Sequence, residues 1–424
     1  GEIIVALGMG AFLFGLLRYG ESRSPRHLYI AFAGLALSLV ADSEAYTILV
    51  IYLSFVPLLL FSSQPAYRGW RDDLLSPLWP RALALFGAIV VLLSTGGLMN
   101  PRGLQAAIDL FPAWLSQWSG QGPWSYHLFL LLSYEPLVLL LGLLGAGFVG
   151  RRNLFSAFFV YWFGVSLILY ALMEEKSPAA ILQMTLPLIF LSGMLLEELL
   201  VSLGGRISWR KEGLYLTLSL PAVVYLFLQW AAYSYLVETE RVFLLFLALF
   251  FLACVLFLSY SWLGREVAVR GGILLLCLVL GALSWRAGWR VNYGMEMAEP
   301  LLGEATSSDI RNLVEALESL SNQRERDRHS IGITLQGENP ALLWYLRAFP
   351  NRDLVSTITG NITTPVVISP QEELPLPNYI GQRFRIWSFW PSQGLGGRAL
   401  LEWYLYREGL PPLTRDIIMW VSQT

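Results

Sequence analysis

The chain has 424 residues, 55% of them hydrophobic and 14% charged, with a formal net charge of −2 and a mean hydropathy of +0.54. Soluble domains carry about 25% charged residues, so an ordinary soluble protein is excluded and an integral membrane protein with a polar appendage is predicted. The near-neutral charge, with no basic patch interleaved with aromatics, excludes nucleic acid as a partner.

The chain opens on Gly1 inside an apolar run. The expectation is a processed or split N-terminus, or a chain that continues upstream. Residues 2–17 form a first, short span, and 18–26 a basic loop. Residues 27–41 and 46–61 read as two spans broken by Asp42-Ser43-Glu44. A single segment would hold both acids at mid-bilayer, where each costs about 2.5–3.5 kcal/mol. Residues 62–80 are polar, and 81–98 span again. In the stretch 99–123, Leu104, Ile108, Phe111 and Leu115 share one face with Trp114 and Trp118 nearby. That spacing predicts a helix over about 102–119 lying in the interface plane. Residues 124–149 read as one continuous span ended by Arg151-Arg152, and 154–172 and 179–203 as two more. Between these two sits Met173-Glu174-Glu175-Lys176-Ser177-Pro178, three consecutive charges including one of only two lysines in the chain. After a basic loop at 204–213, residues 214–236, 242–263 and 271–285 are the last spans, joined by 237–241 and 264–270. The expected fold is thus a polytopic α-helical membrane domain over 1–290, with about ten transmembrane helices.

Charge asymmetry predicts the orientation. One set of alternate loops carries thirteen Arg or Lys residues, and the other carries only Arg102, Lys176 and Arg241. The first set is expected to be cytoplasmic. Asp42, Glu44, the 99–123 stretch, Glu174–Lys176 and everything after Trp285 then face outward. Beyond residue 300 the pattern changes. Residues 309–320, 339–349 and 397–407 read as helices, and 329–335, 354–358, 365–368 and 383–389 as strands. The expectation is a small extracytoplasmic α/β domain over 300–424. No glycine-rich phosphate loop follows any of these strands. Asn361-Ile-Thr363 is a formal glycosylation sequon, a pattern too short to carry weight.

Cys254 and Cys277 fall inside apolar runs and read as small buried hydrophobes. His27, His127 and His329 lie far apart in sequence, so no metal-ligand cluster is expected. The candidate site residues are Asp42 and Glu44, Asn100 and Arg102, Glu135, and Glu174, Glu175 and Lys176, all converging on the outer surface. Glu135 lies about ten residues inside its span, as a substrate or ion contact or as a buried pair with an arginine or a tyrosine hydroxyl. Asp42 and Glu44 lean towards a structural role, and Arg102 towards an interfacial anchor with a phosphate contact as the alternative. The charged turn reads either as a polar helix connection, with Pro178 in the first turn, or as a binding element. Acids and a cation at an outer membrane face suit a lipid-phosphate-linked sugar: a carboxylate deprotonates the acceptor hydroxyl and Lys or Arg holds the departing phosphate. The same residues could line a transport path or meet a partner subunit. No cofactor is required by this pattern, and a divalent cation is compatible with it.

Three blocks then carry a resemblance. They are Ser94-Thr-Gly-Gly-Leu-Met-Asn100-Pro101-Arg102-Gly103; Gly122-Pro123-Trp124-Ser-Tyr126 with Tyr134-Glu135; and Glu175-Lys176-Ser177-Pro178. With Asn339-Pro340-Ala-Leu-Leu-Trp344-Tyr345-Leu346-Arg347, they resemble, in order, a bacterial and archaeal membrane family labelled flippase-activity-associated proteins. That family is related to the GT-C glycosyltransferases, such as protein mannosyltransferases and lipid A aminoarabinose transferase. The resemblance implies a multi-pass protein of the plasma (inner) membrane, with membrane lipid and a polyprenyl-phosphate-linked sugar as partners. It implies that Glu175 and Lys176 contact phosphate or sugar, with Glu135 and Arg102 nearby. Two departures stand out: Ala179 occupies the position of the family's usual tryptophan, and Ser43 that of a lysine before Glu44. Aligned by these blocks, the first span matches a later helix of the family, so the GT-C acidic loop after the first transmembrane helix has no counterpart in these residues. It is supplied by a companion chain or an upstream segment, or the protein is a non-catalytic subunit of a larger assembly. A lipid-linked sugar transporter is the third reading.

Overall fold

A computed structural model describes residues 1–61, 78–118, 124–150, 152–173, 177–203, 210–236, 239–293, 299–302, 304–337, 339–358, 362–373, 378–390, 397–407 and 413–423. Residues 62–77, Arg151, the charged turn residues Glu174, Glu175 and Lys176, residues 204–209, and Asn361 of the sequon lie outside this set. The chain divides into two compact units, Gly1–Ala287 and Gly288–Thr424.

The first unit is helical. Helix α1 (Glu2–Ser22) and helix α2 (Pro25–Ala41) pack backbone to backbone, because small residues line their contact. A side-chain carbon added at Gly8 would lie 2.6 Å from the Gly34 carbonyl oxygen. Apolar helices without a hydrophobic drive to associate use small residues in this way. Helix α3 (Glu44–Phe61) joins them, and α4 (Leu78–Ser94) lies against α2. Helix α5 (Arg102–Ser116) follows a tight turn, and α6 (Tyr126–Tyr134) and α7 (Pro136–Phe148) come next. Helix α8 (Leu154–Leu172) starts on a capping box between Asn153 and Ser156. Helix α9 (Ile181–Ser202) follows a short 3₁₀ turn, Pro178–Ala180. Helices α10 (Lys211–Leu236), α11 (Thr239–Trp262) and α12 (Arg265–Tyr293) complete the unit, the last running into the second. Val5, Met9, Ile48, Ile51, Phe159 and Trp162 belong to one buried cluster, where α1, α3 and α8 meet.

The structure corrects three expectations. Among the described residues, six helices rather than ten are long and apolar enough to cross a membrane, or seven if one bent pair is a single span. The segments 27–41, 46–61 and 81–98 fold as shorter apolar helices. The expected continuous span 124–149 is that bent pair, with α6 and α7 meeting at 110°. Pro136 opens α7 and its ring disfavours a helical conformation at Glu135, which sits at φ −127°, ψ 47°. Finally, 264–270 is not a connecting loop. Only Gly264, at φ +94°, is non-helical, and α12 begins at Arg265. The charge of Arg270 needs no water because its Nε donates to the fully buried Glu212 carboxylate at 2.8 Å. Arg270 also donates to the Leu203 carbonyl.

The second unit is a six-stranded mixed sheet in the order β1-β5-β6-β4-β2-β3. Its strands are β1 (Glu304–Thr306), β2 (Ile333–Gln336), β3 (Arg352–Val355), β4 (Val366–Ser369), β5 (Tyr379–Phe389) and β6 (Leu413–Ser422). Strand β2 runs parallel to both β3 and β4, while β6 pairs antiparallel with β4 and β5. Helices α13 (Asp309–Glu325), α14 (Pro340–Tyr345) and α15 (Gly397–Tyr406) accompany it. Ile310, Leu313 and Leu317 of α13 bury against Ile333, Leu335, Ile368 and Ile386, the period-3.6 face meeting the inward side of the strands. Arg407, just past α15, pairs with Glu299 at 3.0 Å with both side chains 2% exposed.

Candidate functional site

Asp42, Ser43 and Glu44 link α2 to α3. The Asp42 carboxylate accepts the Glu44 amide at 3.2 Å and the Ser43 hydroxyl at 3.4 Å, which caps α3. Glu44 then turns inward. Its side chain is buried, and the Tyr170 hydroxyl donates to its carboxylate at 2.6 Å from the last turn of α8. One turn further along α3, Thr47 accepts the Trp114 indole N–H of α5 at 2.9 Å. Tyr46, Phe111, Trp114 and Trp118 pack ring on ring beside it, with centroids 5.3–6.0 Å apart. The buried His127, from the first turn of α6, lies 5.5 Å from the Tyr170 ring. Its Nε2 is 3.1 Å from the Ser177 carbonyl oxygen, a contact that requires the Nε2–H tautomer or the protonated ring.

Glu44, Thr47, Trp114, His127, Tyr170 and Ser177 thus form one connected group where α3, α5, α6 and α8 meet the start of α9. Met173 is buried at its edge. The charged residues Glu174, Glu175 and Lys176 occupy the three positions between Met173 and Ser177, outside the described residues. Glu44 is thereby linked, through Tyr170 and His127, to Ser177, the residue that follows these three positions.

The other candidates stand apart. Asn100 and Arg102 are exposed at the start of α5. Trp114, which docks α5 onto α3, is 12 residues further along, or about 18 Å at 1.5 Å per residue. The segment Ser94–Gly103 forms a compact turn. The amides of Gly96 and Gly97 return to the Leu93 and Leu92 carbonyls, with φ +56° and +73°. A side-chain carbon at Gly103 would overlap the Ser94 carbonyl. Glu135 sits at the 110° break, eight residues from His127 and about 12 Å along α6. No hydrogen bond or ion pair from a described side chain reaches the Arg102 guanidinium or the Glu135 carboxylate.

A second feature lies on the same helix. Tyr52, two turns past Glu44, and Phe55 line an apolar hollow of about 130 Å³ with Phe12, Leu16, Leu154 and Phe158. Its walls suit a hydrocarbon chain and offer almost nothing to a polar group. Among the described residues no group of three or more His, Cys, Asp or Glu side chains gathers to hold a metal ion. Sequence reasoning left Tyr170, His127, Thr47 and Trp114 out of the site. Tyr170 and His127 each sit within a few residues of a motif that was noted, but only packing reveals which helix ends meet. No protein-family model, curated protein or solved structure matches the chain.

Proposed function

We propose that this chain is the GT-C-like part of a membrane glycosyltransferase that uses a polyprenyl-phosphate-linked sugar at the outer membrane face. One observation supports it above the others: a buried carboxylate, Glu44, is held by the Tyr170 phenol, whose ring lies beside the buried His127, and His127 in turn reaches the carbonyl of Ser177, the residue after Glu174-Glu175-Lys176. A carboxylate can take the proton of an acceptor hydroxyl while that oxygen bonds to the sugar's anomeric carbon. The carbon–oxygen bond to phosphate breaks, and polyprenyl phosphate leaves with the electron pair. In this reading Lys176 holds the departing phosphate and Glu175 orients the sugar. The Glu44–Tyr170–His127 group keeps the polar end of the bundle fixed, and the apolar hollow along α3 receives prenyl carbons.

Membranes carrying the protein, a polyprenyl-phosphate hexose with a labelled sugar, and extracted cellular acceptors test this. Lys176→Ala and Glu175→Gln are each expected to lower label transfer at least tenfold at equal protein level. Wild-type transfer in both variants sinks the proposal.

The broken span supports a second reading, a lipid-linked sugar transporter. Discontinuous helices with an acid at the break are a transporter device, and Glu135 sits at such a break. Label that changes leaflet without changing carrier, and does so less in Glu135→Gln, favours this reading over transfer.

A further inference from the structure

The second unit carries a feature that the transferase reading does not use. In its sheet, β2 lies between two parallel neighbours, β3 and β4. The chain leaves β2 for β3 on one side, while β4 flanks it on the other. The carboxyl ends of β2 and β4 are therefore a point where the winding direction reverses, and open α/β sheets bind ligands in the crevice outside such a point.

Here the crevice exists. It has a volume of about 160 Å³ and is floored by Leu335 and Ile368 at the ends of β2 and β4, with Leu342 of α14 beside them. The antiparallel β5–β6 pair overhangs these strand ends. Ser369, the last residue of β4, pairs with Ile418, so the five residues of β6 before Ile418 extend past β4. A bulge between Arg385 and Trp387 sets Trp387 opposite Arg415, and Trp387, Arg415 and Ile417 form one wall. Bulges of this kind re-aim side chains next to binding sites.

The polar groups of the crevice are unbalanced. Ser369 is fully buried, with its hydroxyl donating to Gln336 Oε1 at 2.6 Å and accepting the Gln371 amide at 3.0 Å. The Asn339 side-chain oxygen accepts the Leu342 amide at 3.0 Å. Both amide oxygens are thus engaged within the protein, which leaves the two NH₂ groups as donors. Arg415 adds a guanidinium stacked 5.5 Å from the Phe389 ring, with no carboxylate paired to it among the described residues. Among the described residues, no acidic side chain lines the space. The described side chains offer donors and no free acceptor, which selects an acceptor-rich ligand, and a cation at the rim selects an anion. The volume matches one six-membered ring, since a cavity of about 150 Å³ admits benzene. The indole of Trp387 offers such a ring an apolar face.

We propose that this crevice binds a small single-ring organic oxyanion, a sugar carboxylate or a sugar phosphate, with its charge on Arg415 and its ring against Trp387. The proposal is independent of the transferase reading, because it concerns equilibrium binding and no turnover.

Equilibrium dialysis of the full chain in detergent against labelled glucuronate, glucose 1-phosphate and glucose tests it. Saturable millimolar or tighter binding of at least one anion is expected, with glucose at least tenfold weaker. The favoured anion distinguishes carboxylate from phosphate. Arg415→Gln is expected to lose at least tenfold in affinity for that anion, with Arg415→Lys intermediate because a point charge replaces a bidentate fork. Arg415 is exposed, so neither change disturbs the core. The proposal is overturned if neither anion binds, if glucose binds as tightly, or if Arg415→Gln binds like the wild type.

Discussion

The contact between Tyr170 and Glu44 offers the sharpest test of the cluster. Tyr170→Phe removes one oxygen and leaves the ring, its packing against His127 and the helix unchanged. The hydroxyl donates to the carboxylate at 2.6 Å, within the short range of charge-assisted O–H···O⁻ bonds. Hydrogen bonds to charged groups contribute about 1.5–3 kcal/mol net. Glu44 is buried, so its oxygen does not regain a water when the phenol is lost. The expected cost is therefore about 2 kcal/mol or more, read as a drop of a few degrees in the melting temperature of detergent-solubilised protein. Glu44→Gln keeps an acceptor for Tyr170 and is expected to cost less. In the double variant the two effects do not add, because both act on one bond. Melting of Tyr170→Phe within about 0.5 kcal/mol of wild type, the scatter of surface changes, refutes the idea that this phenol holds the acid in place.

Two further outcomes follow from the packing of the first unit. Glu212→Gln or Arg270→Leu is expected to destabilise the chain by about 3–5 kcal/mol, since each leaves a partner charge or donor buried alone. The pair attracts by about 6 kcal/mol at 2.8 Å and an effective dielectric of about 20, much of it offset by desolvation. Glu212→Leu with Arg270→Met is accordingly expected to recover wild-type melting. At Gly34 an added methyl would press on the Gly8 carbonyl and lie 3.0 Å from the Phe12 amide, both backbone. Gly34→Ala is expected to cost about 1–3 kcal/mol, checked by the same melting assay.

The sheet domain was largely legible from sequence because its signals are local. Ile310, Leu313 and Leu317 repeat at helical spacing, Asn339-Pro340 is a helix start, and the strands β2 to β5 were each anticipated within a few residues. Strands β1 and β6 were missed. The first has three residues, and the second hides the apolar run Ile417–Val421 behind the charged Arg415 and Asp416. The helical unit was read less well, for a physical reason. Hydropathy counts apolar length, and it cannot register that Pro136 folds one apolar run into two helices at 110°. Nor can it register that Arg270 finds its counter-ion, Glu212, 58 residues away. A charge in an apolar run marks a loop only where water must solvate it, and buried pairing removes that need.

The same reasoning explains which site candidates came together. Asp42 and Glu44 interrupt apolar sequence and so mark a helix end, and helix ends on one face of a bundle meet whatever their separation in sequence. Glu44 and Tyr170 are 126 residues apart and in contact. Arg102 also marks a helix end, but α5 is joined to the cluster by Trp114 at its other end, so its length carries Arg102 away. Glu135 is held off by the turns of α6 between it and His127. An acid kept at that distance from the Glu44 group is poorly placed to share a proton or a phosphate with it. If transfer is the chemistry, Glu135→Gln leaves it nearly intact while Glu175→Gln abolishes it. If passage through the membrane is the chemistry, that order reverses.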